Sequence, residues 1–277
     1  MSTTVKTPWY PKMGAIPCHL DYFQGSMEEA VERIAEQYPD LPAYNFLGNT
    51  ASYAQLVKDI RQAAASLKAL GVQPGQRVTI CLPNMPMAIV MFYAVNMVGA
   101  IANMIHPLSA EGEIEFYLND SESVAAITVD MFYQKFINIR NRTPMLKHMI
   151  VCSIKDGLKP LMKLGYALTK GRKVQKFAHD GSFLTWKDFL KKGSVASDAR
   201  VKRVGTDPAV VLYSGGTTGV TKGILLSNLN FNALGAQIVA TNPMFKAGDK
   251  MLAIMPMFHG FGLGVSIHST QIGRAHV

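Results

Sequence analysis

Cysteine is scarce in this chain, and the few cysteines present lie far apart. There are three, Cys18, Cys81 and Cys152, and their spacing matches no metal-binding pattern. Small secreted domains use closely spaced cysteines as a disulfide framework, and structural zinc sites use short cysteine and histidine spacings. The sequence therefore favours reduced, mostly buried thiols over a disulfide framework or a zinc site.

A secretory leader is also lacking in the residues that open the sequence. No apolar segment follows the lysines of residues 1–12, and a signal peptide needs such a segment as its central region. On this ground we expect a cytoplasmic protein.

Charge is absent from one long apolar run, Met87–Ile105, whose length alone would suit a transmembrane helix. Two asparagines and a glycine interrupt the run, and Pro107 follows it closely. A helix to about Val98 followed by a strand over residues 100–105 accounts for the run within a soluble α/β core.

Acidic residues are in short supply, since 19 Asp and Glu against 28 Lys and Arg leave a formal net charge of +9. The excess is concentrated in residues 155–176, where seven basic residues face only Asp156, so that this segment carries a formal charge of +6. Apolar residues of the same segment have spacings compatible with one face of a short helix, at Leu158, Leu161, Met162 and Leu168.

Two interpretations of this basic segment stay open. A solvated surface insertion with a half-buried apolar stripe is the commoner structure for such a run, and we favour it. Peripheral contact with the inner face of a membrane through residues 155–176 is the alternative, because lysines attract anionic lipid. Nucleic-acid binding is disfavoured, since only Tyr166 and Phe177 add aromatic rings to the basic run and no nucleic-acid motif accompanies it.

Helix and strand signals alternate from about residue 26, which predicts an α/β fold with mostly parallel sheets flanked by helices. Capping boxes at Ser26 and Ser52 predict the first two helices, over residues 27–38 and up to Gly71. Further helices are predicted after Pro86, from Ser109 to about Asn119, from Thr185, and over residues 227–240. Strands are predicted at residues 43–47, 77–82, 100–105, 123–129, 147–152, 209–213, 224–226 and 250–256, the first of them in a hairpin with a Gly48-Asn49 turn.

One loop carries the clearest functional signal. It follows an apolar strand and consists of small, hydroxyl-bearing and basic residues, with candidate ligands at Ser214, Gly215, Gly216, Thr217, Thr218, Gly219, Thr221 and Lys222. Glycines let backbone N–H groups converge on an anion, hydroxyls donate to phosphate oxygens, and the lysine supplies a point charge. The composition predicts a site for the phosphates of a nucleoside triphosphate. It is not the usual P-loop, in which glycine directly precedes the lysine and Ser or Thr directly follows it.

The loop resembles the phosphate-binding signature of the adenylate-forming enzymes, the superfamily of acyl-CoA synthetases, firefly-type luciferases and the adenylation domains of peptide synthetases. The usual form is Ser-Ser/Gly-Gly-Thr-Thr-Gly-x-Pro-Lys-Gly. Here Gly215 stands where a second serine is commoner, and Thr221 replaces a proline that would pre-set the turn. Neither departure removes a phosphate donor.

A second motif strengthens the resemblance, because residues 256–262 are similar to the aromatic-His element that follows the phosphate loop by a helix and a strand in the family. There it lines the acyl pocket beside the carboxylate that is activated. The resemblance thus implies a substrate pocket that includes Phe258, His259, Gly260 and Phe261. It spans about residues 52–267, and residues 73–78 are most similar to fatty-acyl and aryl-CoA ligases.

The resemblance implies ATP-dependent activation of a fatty or aryl carboxylic acid in two half-reactions. The carboxylate attacks the α-phosphorus of ATP to give an acyl-adenylate and pyrophosphate, and coenzyme A then displaces AMP as the thioester forms. Lys222 and Thr218 are the implied catalytic residues, which hold the phosphates while Mg²⁺ shares their charge. ATP, Mg²⁺ and coenzyme A are the implied cofactors, and no metal ligand is assigned in the chain. The sequence also lacks the nucleophile and zinc motifs that would favour a hydrolase.

The resemblance divides the chain into an extension at residues 1–25 and part of an AMP-binding domain at residues 26–271, with the basic insertion at about 155–180. Residues 272–277 resemble a translated sequencing adapter, so we expect them to be foreign. The family's later elements, including the lid domain with its catalytic lysine, would lie beyond residue 277, so we expect the chain alone to be inactive. Two alternatives stay open: an adenylation domain that loads a carrier protein, and a non-catalytic fragment that binds phosphates or membrane.

Overall fold

Seven strands of two to seven residues, between Arg77 and Ser227, assemble into one main sheet. The computed structural model describes residues 14, 16–17, 19–168, 181–193, 198–214, 221–242 and 244–277. A short antiparallel hairpin is formed by β1 and β2, and seven further strands form the main sheet: β1 Pro42–Phe46, β2 Asn49–Ser52, β3 Arg77–Cys81, β4 Ile101–Met104, β5 Ala125–Val129, β6 His148–Cys152, β7 Leu184–Thr185, β8 Pro208–Ser214 and β9 Lys222–Ser227.

The main sheet has the strand order β7-β6-β5-β3-β4-β8-β9. Six strands run parallel, and only β9 is antiparallel to its neighbour β8. The central strands β3, β4 and β5 are buried almost throughout, as expected for a sheet covered by helices on both faces. The predicted mostly parallel α/β fold is confirmed.

Two helices precede the sheet, and both begin at the predicted caps. In α1, Met27–Gln37, the Ser26 hydroxyl accepts from the Glu29 N–H while the Glu29 carboxylate accepts from the Ser26 N–H. Helix α2, Tyr53–Ala69, begins at Ser52, whose hydroxyl accepts from the Gln55 N–H, but the predicted capping box is not completed, because the Gln55 side chain donates to Asp59 instead. Gly71 with φ of +81° follows its end.

The β1–β2 hairpin turns one residue earlier than predicted. Its two-residue turn is Leu47-Gly48, with φ of +49° and +79°, and Asn49 already belongs to β2. Two consecutive positive φ values give a turn of the type that matches the twist of a hairpin.

The apolar run at Met87–Ile105 divides as predicted into a helix and a strand. Helix α3, Pro86–Met97, is buried at every residue, and β4 follows it directly. In the described ranges, no helix has the length and apolarity that crossing a bilayer requires.

Helix α4, Glu111–Asp120, corrects one prediction. Ser109 is not its cap, because the helix begins after Ala110, whose N–H donates to the Glu113 carboxylate at 2.9 Å. Ala110 has no side-chain acceptor for the first helical N–H groups, so only the carboxylate half of a capping box is formed here. The sequence did not predict α5, Tyr133–Ile139.

The remaining helices lie in the second half of the chain. The basic segment forms α6, and Thr185 caps α7 as predicted through its hydroxyl, which accepts from the Asp188 N–H. These helices are α6 Pro160–Leu168, α7 Trp186–Leu190, α8 Asn228–Thr241, a π-helix Phe261–Ser269 and a final turn α9 Thr270–Ile272.

The strand predicted over residues 250–256 is wrong. Only Lys250 forms a bridge, to His276, and the rest of the segment joins no sheet in the described part of the chain. Leu252 and Ile254 are 79% and 73% exposed. The alternating apolar pattern suits a strand, but a strand also needs a hydrogen-bonded neighbour, and here a single side chain holds the backbone instead, as described below.

Residues 272–277 pack against the start of the chain. Both backbone polar groups of Val277 are hydrogen-bonded to β1, and the Tyr53 hydroxyl, which has one proton to donate, lies 2.8 Å from the carbonyls of both Gln271 and Ala275. The segment makes these contacts with main-chain atoms, so they do not depend on its side chains. Its expected foreign origin stays a prediction.

A buried histidine joins α3, α8 and the π-helix. His268 Nε2 donates to Asn232 Oδ1 at 3.0 Å, and the Tyr93 hydroxyl lies 3.1 Å from His268 Nδ1. The Asn232 amide is oriented by its own donations to the carbonyls of Phe23 and Gly25, which leave its oxygen facing the ring. Burial lowers the pKa of His268 to about 3, so the ring is neutral.

Two of the cysteines fall in the described ranges, and both are buried and free, as predicted. Burial raises the pKa of Cys81 to about 12, so its thiol stays protonated. Cys18 lies outside the described residues.

Candidate functional site

The candidate site lies at the carboxyl ends of the parallel strands. From β3 the chain moves to β4 on one side, and from β5 it moves to β6 on the other side, so the connections leave in opposite directions from the adjacent strands β3 and β5. In open α/β sheets this reversal leaves a crevice at the carboxyl ends, where ligands bind. Polar residues follow each of the strands at this edge: Asn84 after β3, His106 after β4 and Ser214 at the end of β8.

The predicted phosphate loop connects two hydrogen-bonded strands at this edge. Ser214, the last residue of β8, lies directly opposite Lys222, the first residue of β9. Both residues are exposed, and no salt bridge to Lys222 occurs among the described residues. Thr221 is half-buried. The other predicted phosphate ligands lie outside the described residues: Gly215, Gly216, Thr217, Thr218 and Gly219.

Aromatic residues support the base of this hairpin. The Tyr213 hydroxyl lies 3.3 Å from both the Tyr117 carbonyl and the Asp120 carboxylate, and the rings of Tyr213 and Tyr117 are 4.3 Å apart. Burial, with the charge of Asp120 as a second cause, raises the pKa of Tyr213, so it remains a donor. A Cβ on Gly223 would lie 3.2 Å from the Tyr213 ring. The glycine after Lys222 therefore makes room for this support.

The aromatic-His motif is held by one side chain. Asn84 Nδ2 donates to the carbonyls of Ala253 and Met255, both at 2.8 Å, and Asn84 Oδ1 accepts from the Met257 N–H at 2.9 Å. These three bonds satisfy backbone groups that a neighbouring strand would otherwise satisfy. Because Asn84 follows β3, it fixes the segment before Phe258 against the central sheet.

His106 contacts the motif through its ring. The centroids of His106 and Phe258 are 4.2 Å apart. His106 Nδ1 accepts from the Leu108 N–H at 2.8 Å, and His259 Nδ1 accepts from the Phe261 N–H at 3.3 Å. When neutral, each imidazole therefore carries its proton on Nε2 and can donate from that atom. Both histidines are exposed.

Two glycines fix the motif next to the phosphate hairpin. A Cβ on Gly260 would lie 3.4 Å from Leu212 Cδ1, so the motif passes close to β8. A Cβ on Gly262 would lie 2.0 Å from the Pro256 carbonyl oxygen, which no side chain tolerates. The chain turns back on itself here and enters the π-helix at Phe261, whose side chain is 52% exposed.

An apolar cavity of about 390 Å³ lies behind the motif, with Met85, Ile89, Met257 and Ile267 among its lining residues. Phe258 and His259, which follow Met257, do not line this cavity. Its volume is within the range of small-molecule pockets.

The structure thus brings the two predicted motifs to one edge of the sheet and adds residues that sequence reasoning missed. Asn84, His106 and Tyr213 carry no signature of their own. The available signal was positional, since each lies at or just after the carboxyl end of a buried parallel strand.

No cluster of three or more His, Cys, Asp or Glu that could hold a metal is present in the described ranges. Mg²⁺ commonly binds protein through one or two carboxylates together with nucleotide phosphates. The residues at the loop fit a metal that arrives with the nucleotide, since they offer hydroxyl, backbone and ammonium donors to the phosphates themselves.

Sheet topology, a glycine- and threonine-rich hairpin and an aromatic-His loop at the same edge define an adenylate-forming α/β domain. The chain belongs to the family of AMP-binding enzymes, whose family model matches residues 31–277.

Named relatives are ligases. A long-chain-fatty-acid–CoA ligase of Bacillus subtilis is 30% identical over 274 residues, which are 96% of this chain and 48% of the relative. The 4-coumarate–CoA ligase-like 9 of Oryza sativa is 26% identical over 78% of this chain and 35% of the relative. The chain therefore spans about half the length of the curated relatives it matches.

Solved structures share the fold. The crystal structure of a long-chain-fatty-acid-CoA ligase from Archaeoglobus fulgidus superposes with a TM-score of 0.75 at 22% identity, over 93% of this chain and 48% of that one. An anthranilate CoA ligase in complex with anthranoyl-AMP also gives a TM-score of 0.75, at 21% identity over 92% of this chain and 43% of that one.

Proposed function

We propose that this chain supplies the phosphate and acyl-binding parts of an enzyme that activates a fatty or aryl carboxylic acid with ATP and transfers the acyl group to coenzyme A. The observation that carries the proposal is the β8–β9 hairpin, which sets Ser214 beside Lys222 at the edge of the sheet where the aromatic-His motif also lies. Family membership and the names of the relatives support it.

Lys222 acts as a fixed positive charge in this proposal. Because Lys222 is paired with Ser214 across the two strands, both side chains lie on the same face of the hairpin, where they meet the β- and γ-phosphates. Bound ATP supplies the adenylyl group and a pyrophosphate leaving group. Catalysis by these residues is then electrostatic and geometric, since they stabilise negative charge as it moves to the leaving group.

The aromatic-His motif binds the acid. His259 and His106 each present an Nε2–H donor, which suits a carboxylate. Phe258, next to His259 in the chain, brings the two segments together through its ring contact with His106. The apolar cavity behind Met257 offers volume for an acyl or aryl group. The thiol of coenzyme A accepts the acyl group in the second half-reaction.

ATP–pyrophosphate exchange, measured in a chain extended to the full length of its relatives, tests the proposal. We expect exchange that depends on a fatty or aryl acid, with thioester formed on addition of coenzyme A. Lys222→Ala and Thr218→Ala should reduce exchange without loss of fold, while Lys246→Ala, at another exposed lysine, should leave it unchanged. Exchange without thioester would instead favour loading of a carrier protein, and no exchange with any acid would refute the proposal.

His259→Ala separates the two parts of the site. Because His259 lies on the acyl motif, we expect the KM for the acid to rise while ATP affinity stays unchanged. An effect confined to ATP would contradict this placement of the motif.

A further inference from the structure

Side chains alternate between two faces along each strand of the phosphate hairpin. Ser214 and Lys222 are paired across β8 and β9, so they point to one face. Leu212, two residues before Ser214, shares this face, and a Cβ on Gly260 of the aromatic-His motif would lie 3.4 Å from its Cδ1 atom. Gly223, the residue after Lys222, belongs to the opposite face. The lysine therefore faces the aromatic-His motif, and the glycine faces away from it.

Tyr213 and the last turn of α4 support this opposite face. A Cβ on Gly223 would lie 3.2 Å from both Tyr213 Cε1 and Val211 Cγ1. It would also lie 3.3 Å from Asp120 Oδ2, and the Tyr213 hydroxyl lies 3.3 Å from the same oxygen. The ring centroids of Tyr213 and Tyr117 are 4.3 Å apart. We call Tyr117, Asp120 and Tyr213 the platform. Because Gly223 has no side chain, the backbone of β9 packs directly against it.

The platform is itself joined to the central sheet. Asn103, buried in β4, donates to Ser121 Oγ at 2.9 Å and to Thr79 Oγ1 of β3 at 2.8 Å. Ser121, the residue after α4, donates to the Tyr117 carbonyl at 2.7 Å, and the Tyr213 hydroxyl lies 3.3 Å from that carbonyl. Hydrogen bonds between buried side chains restrict the groups that they join. The place of the platform is therefore set by β3 and β4.

We propose that the platform positions Lys222, the lysine that meets the phosphates in the proposed function. It supports β9 from behind at Gly223, so that pairing with β8 brings the lysine to a fixed place beside Ser214. The three platform residues act through the lysine and are positioning residues. The inference rests on the proposed function for the role of Lys222. A misplacement of about 1 Å near the chemistry can lower a rate about a hundredfold, so such a support affects turnover.

Substitutions at the platform test this in the chain extended to the full length of its relatives, through ATP affinity and ATP–pyrophosphate exchange. Gly223→Ala pushes β9 away from the platform by a few tenths of an ångström and should lower the exchange rate about three- to tenfold. Tyr213→Ala removes the ring and should lower the rate about tenfold or more. Tyr213→Phe keeps the ring, so it should lose only about two- to fivefold. The Kd for ATP should rise in parallel, while the KM for the acid stays unchanged.

A double-mutant cycle with Lys222→Ala separates positioning from general stabilisation. Where Lys222 is already alanine, Gly223→Ala and Tyr213→Ala should each change the rate less than about twofold, because the group that they position is gone. A role in folding alone would give the same loss in both backgrounds, and that result would overturn the proposal. Asp120→Ala, at an exposed residue, keeps the cycle available if Tyr213→Ala does not fold, and should lose about two- to fivefold.

Matched controls lie elsewhere in the chain. Tyr22→Phe removes a hydroxyl that accepts from Gln237 at 2.8 Å. Gly165→Ala, in α6, adds a Cβ that has nothing within 4 Å. Both variants should match the unchanged chain in exchange rate and in ATP affinity.

The two readouts keep the platform and the proposed function apart. If the unchanged chain binds ATP without acid-dependent exchange, the proposed function fails, and the Kd for ATP in the variants still decides the role of the platform. If exchange occurs but Gly223→Ala and Tyr213→Ala match the controls in rate and Kd, the platform is refuted and the proposed function stands. Absence of ATP binding by the unchanged chain would overturn both.

Discussion

A single amide organises the acyl side of the candidate site. Asn84 donates twice and accepts once, and all three of its partners are backbone groups of the 253–257 segment. The Asn84 side chain thereby supplies the hydrogen-bond partners that a neighbouring strand would supply in a sheet. A residue with this role is sensitive to small chemical changes, because each lost bond leaves a backbone group without a partner.

Asn84→Ala should therefore cost about 1–3 kcal/mol of unfolding free energy and raise the KM for the acid. Asn84→Asp keeps the acceptor for the Met257 N–H and loses both donors, so its effect should also be large. Urea unfolding and substrate-dependent exchange measure the two effects. The control is Asn138→Ala, at an exposed asparagine of α5. Equal stability and equal KM in Asn84→Ala and the control would contradict the assigned role.

The ring of His106 contributes a packing surface for Phe258. His106→Ala removes the stack, and since an aromatic pair contributes about 0.5–1.5 kcal/mol, the KM for the acid should rise about two- to tenfold. His106→Phe keeps a ring at the position and should restore most of the affinity. Measurement of KM for acid and for ATP separately checks this, and an unchanged acid KM in His106→Ala would show that the contact is incidental.

At the scale of elements, caps and turns were predictable because their signals are local. The hydroxyls of Ser26, Ser52 and Thr185 each begin a helix where the sequence places it. The cap predicted at Ser109 was wrong by one residue, because the helix begins after Ala110, whose N–H donates to the Glu113 carboxylate. The local sequence thus predicts that a helix begins nearby. Which residue caps it depends on where the backbone turns into the helix.

Long-range pairing was less predictable. The 250–256 segment has the composition of a strand, yet its backbone is held by Asn84, about 170 residues earlier in the sequence. The contact between His106 and Phe258 also joins distant segments. The periodicity of a single sequence does not indicate contacts between distant segments. The two motifs could be predicted because their residue patterns are local. The residues that position them could be identified only in the structure.

Gly262, at the start of the π-helix, allows the close packing of this turn to be tested. Gly262→Ala would place a Cβ 2.0 Å from the Pro256 carbonyl oxygen, so the backbone would have to shift. We expect a loss of about 1–3 kcal/mol in unfolding free energy, together with weaker acid-dependent exchange.

The matched control is Gly112→Ala in α4, where nothing lies within 4 Å of the new Cβ. Because alanine favours a helix over glycine, this variant should be about 0.5–1 kcal/mol more stable. Urea unfolding of both variants measures the difference. Destabilisation of similar size in both would show that the close approach to Pro256 has no special effect.

For the whole molecule, His268 couples stability to pH. Its folded-state pKa of about 3 lies below the ordinary value of 6.5, so unfolding between these pH values takes up a proton. The unfolding free energy should therefore be highest above pH 6.5 and should fall as the pH decreases towards 3. In His268→Gln this contribution to the slope should disappear, although the variant is less stable at neutral pH. Equal slopes of unfolding free energy against pH in the unchanged chain and in His268→Gln, measured by urea unfolding, would contradict this role of His268.

Glu28 changes the unfolding free energy with pH in the direction opposite to His268. Burial raises its pKa from 4.5 to about 7, against the lowering effect of Arg200, so the folded chain binds more protons than the unfolded chain between these values. Its contribution to stability is present at low pH and is lost as the pH rises through 7. Glu28→Gln should therefore remove a decline in unfolding free energy between about pH 5 and 8, as measured by urea unfolding at each pH. A decline as large as that of the unchanged chain would refute this.

The β8–β9 hairpin has one further consequence, for the exchange of amide hydrogens with solvent. One arm of the phosphate loop, β8, is paired on both sides, to β4 and to β9, while β9 is paired only to β8 in the described part of the chain and is largely exposed. The β9 amides should exchange faster than those of β8, because opening β9 disturbs none of the parallel strands. Lys222 therefore lies on β9, which opens at a low free-energy cost, whereas Ser214 lies on β8, which stays paired. The distance between Lys222 and Ser214 can thus change while the central sheet remains closed.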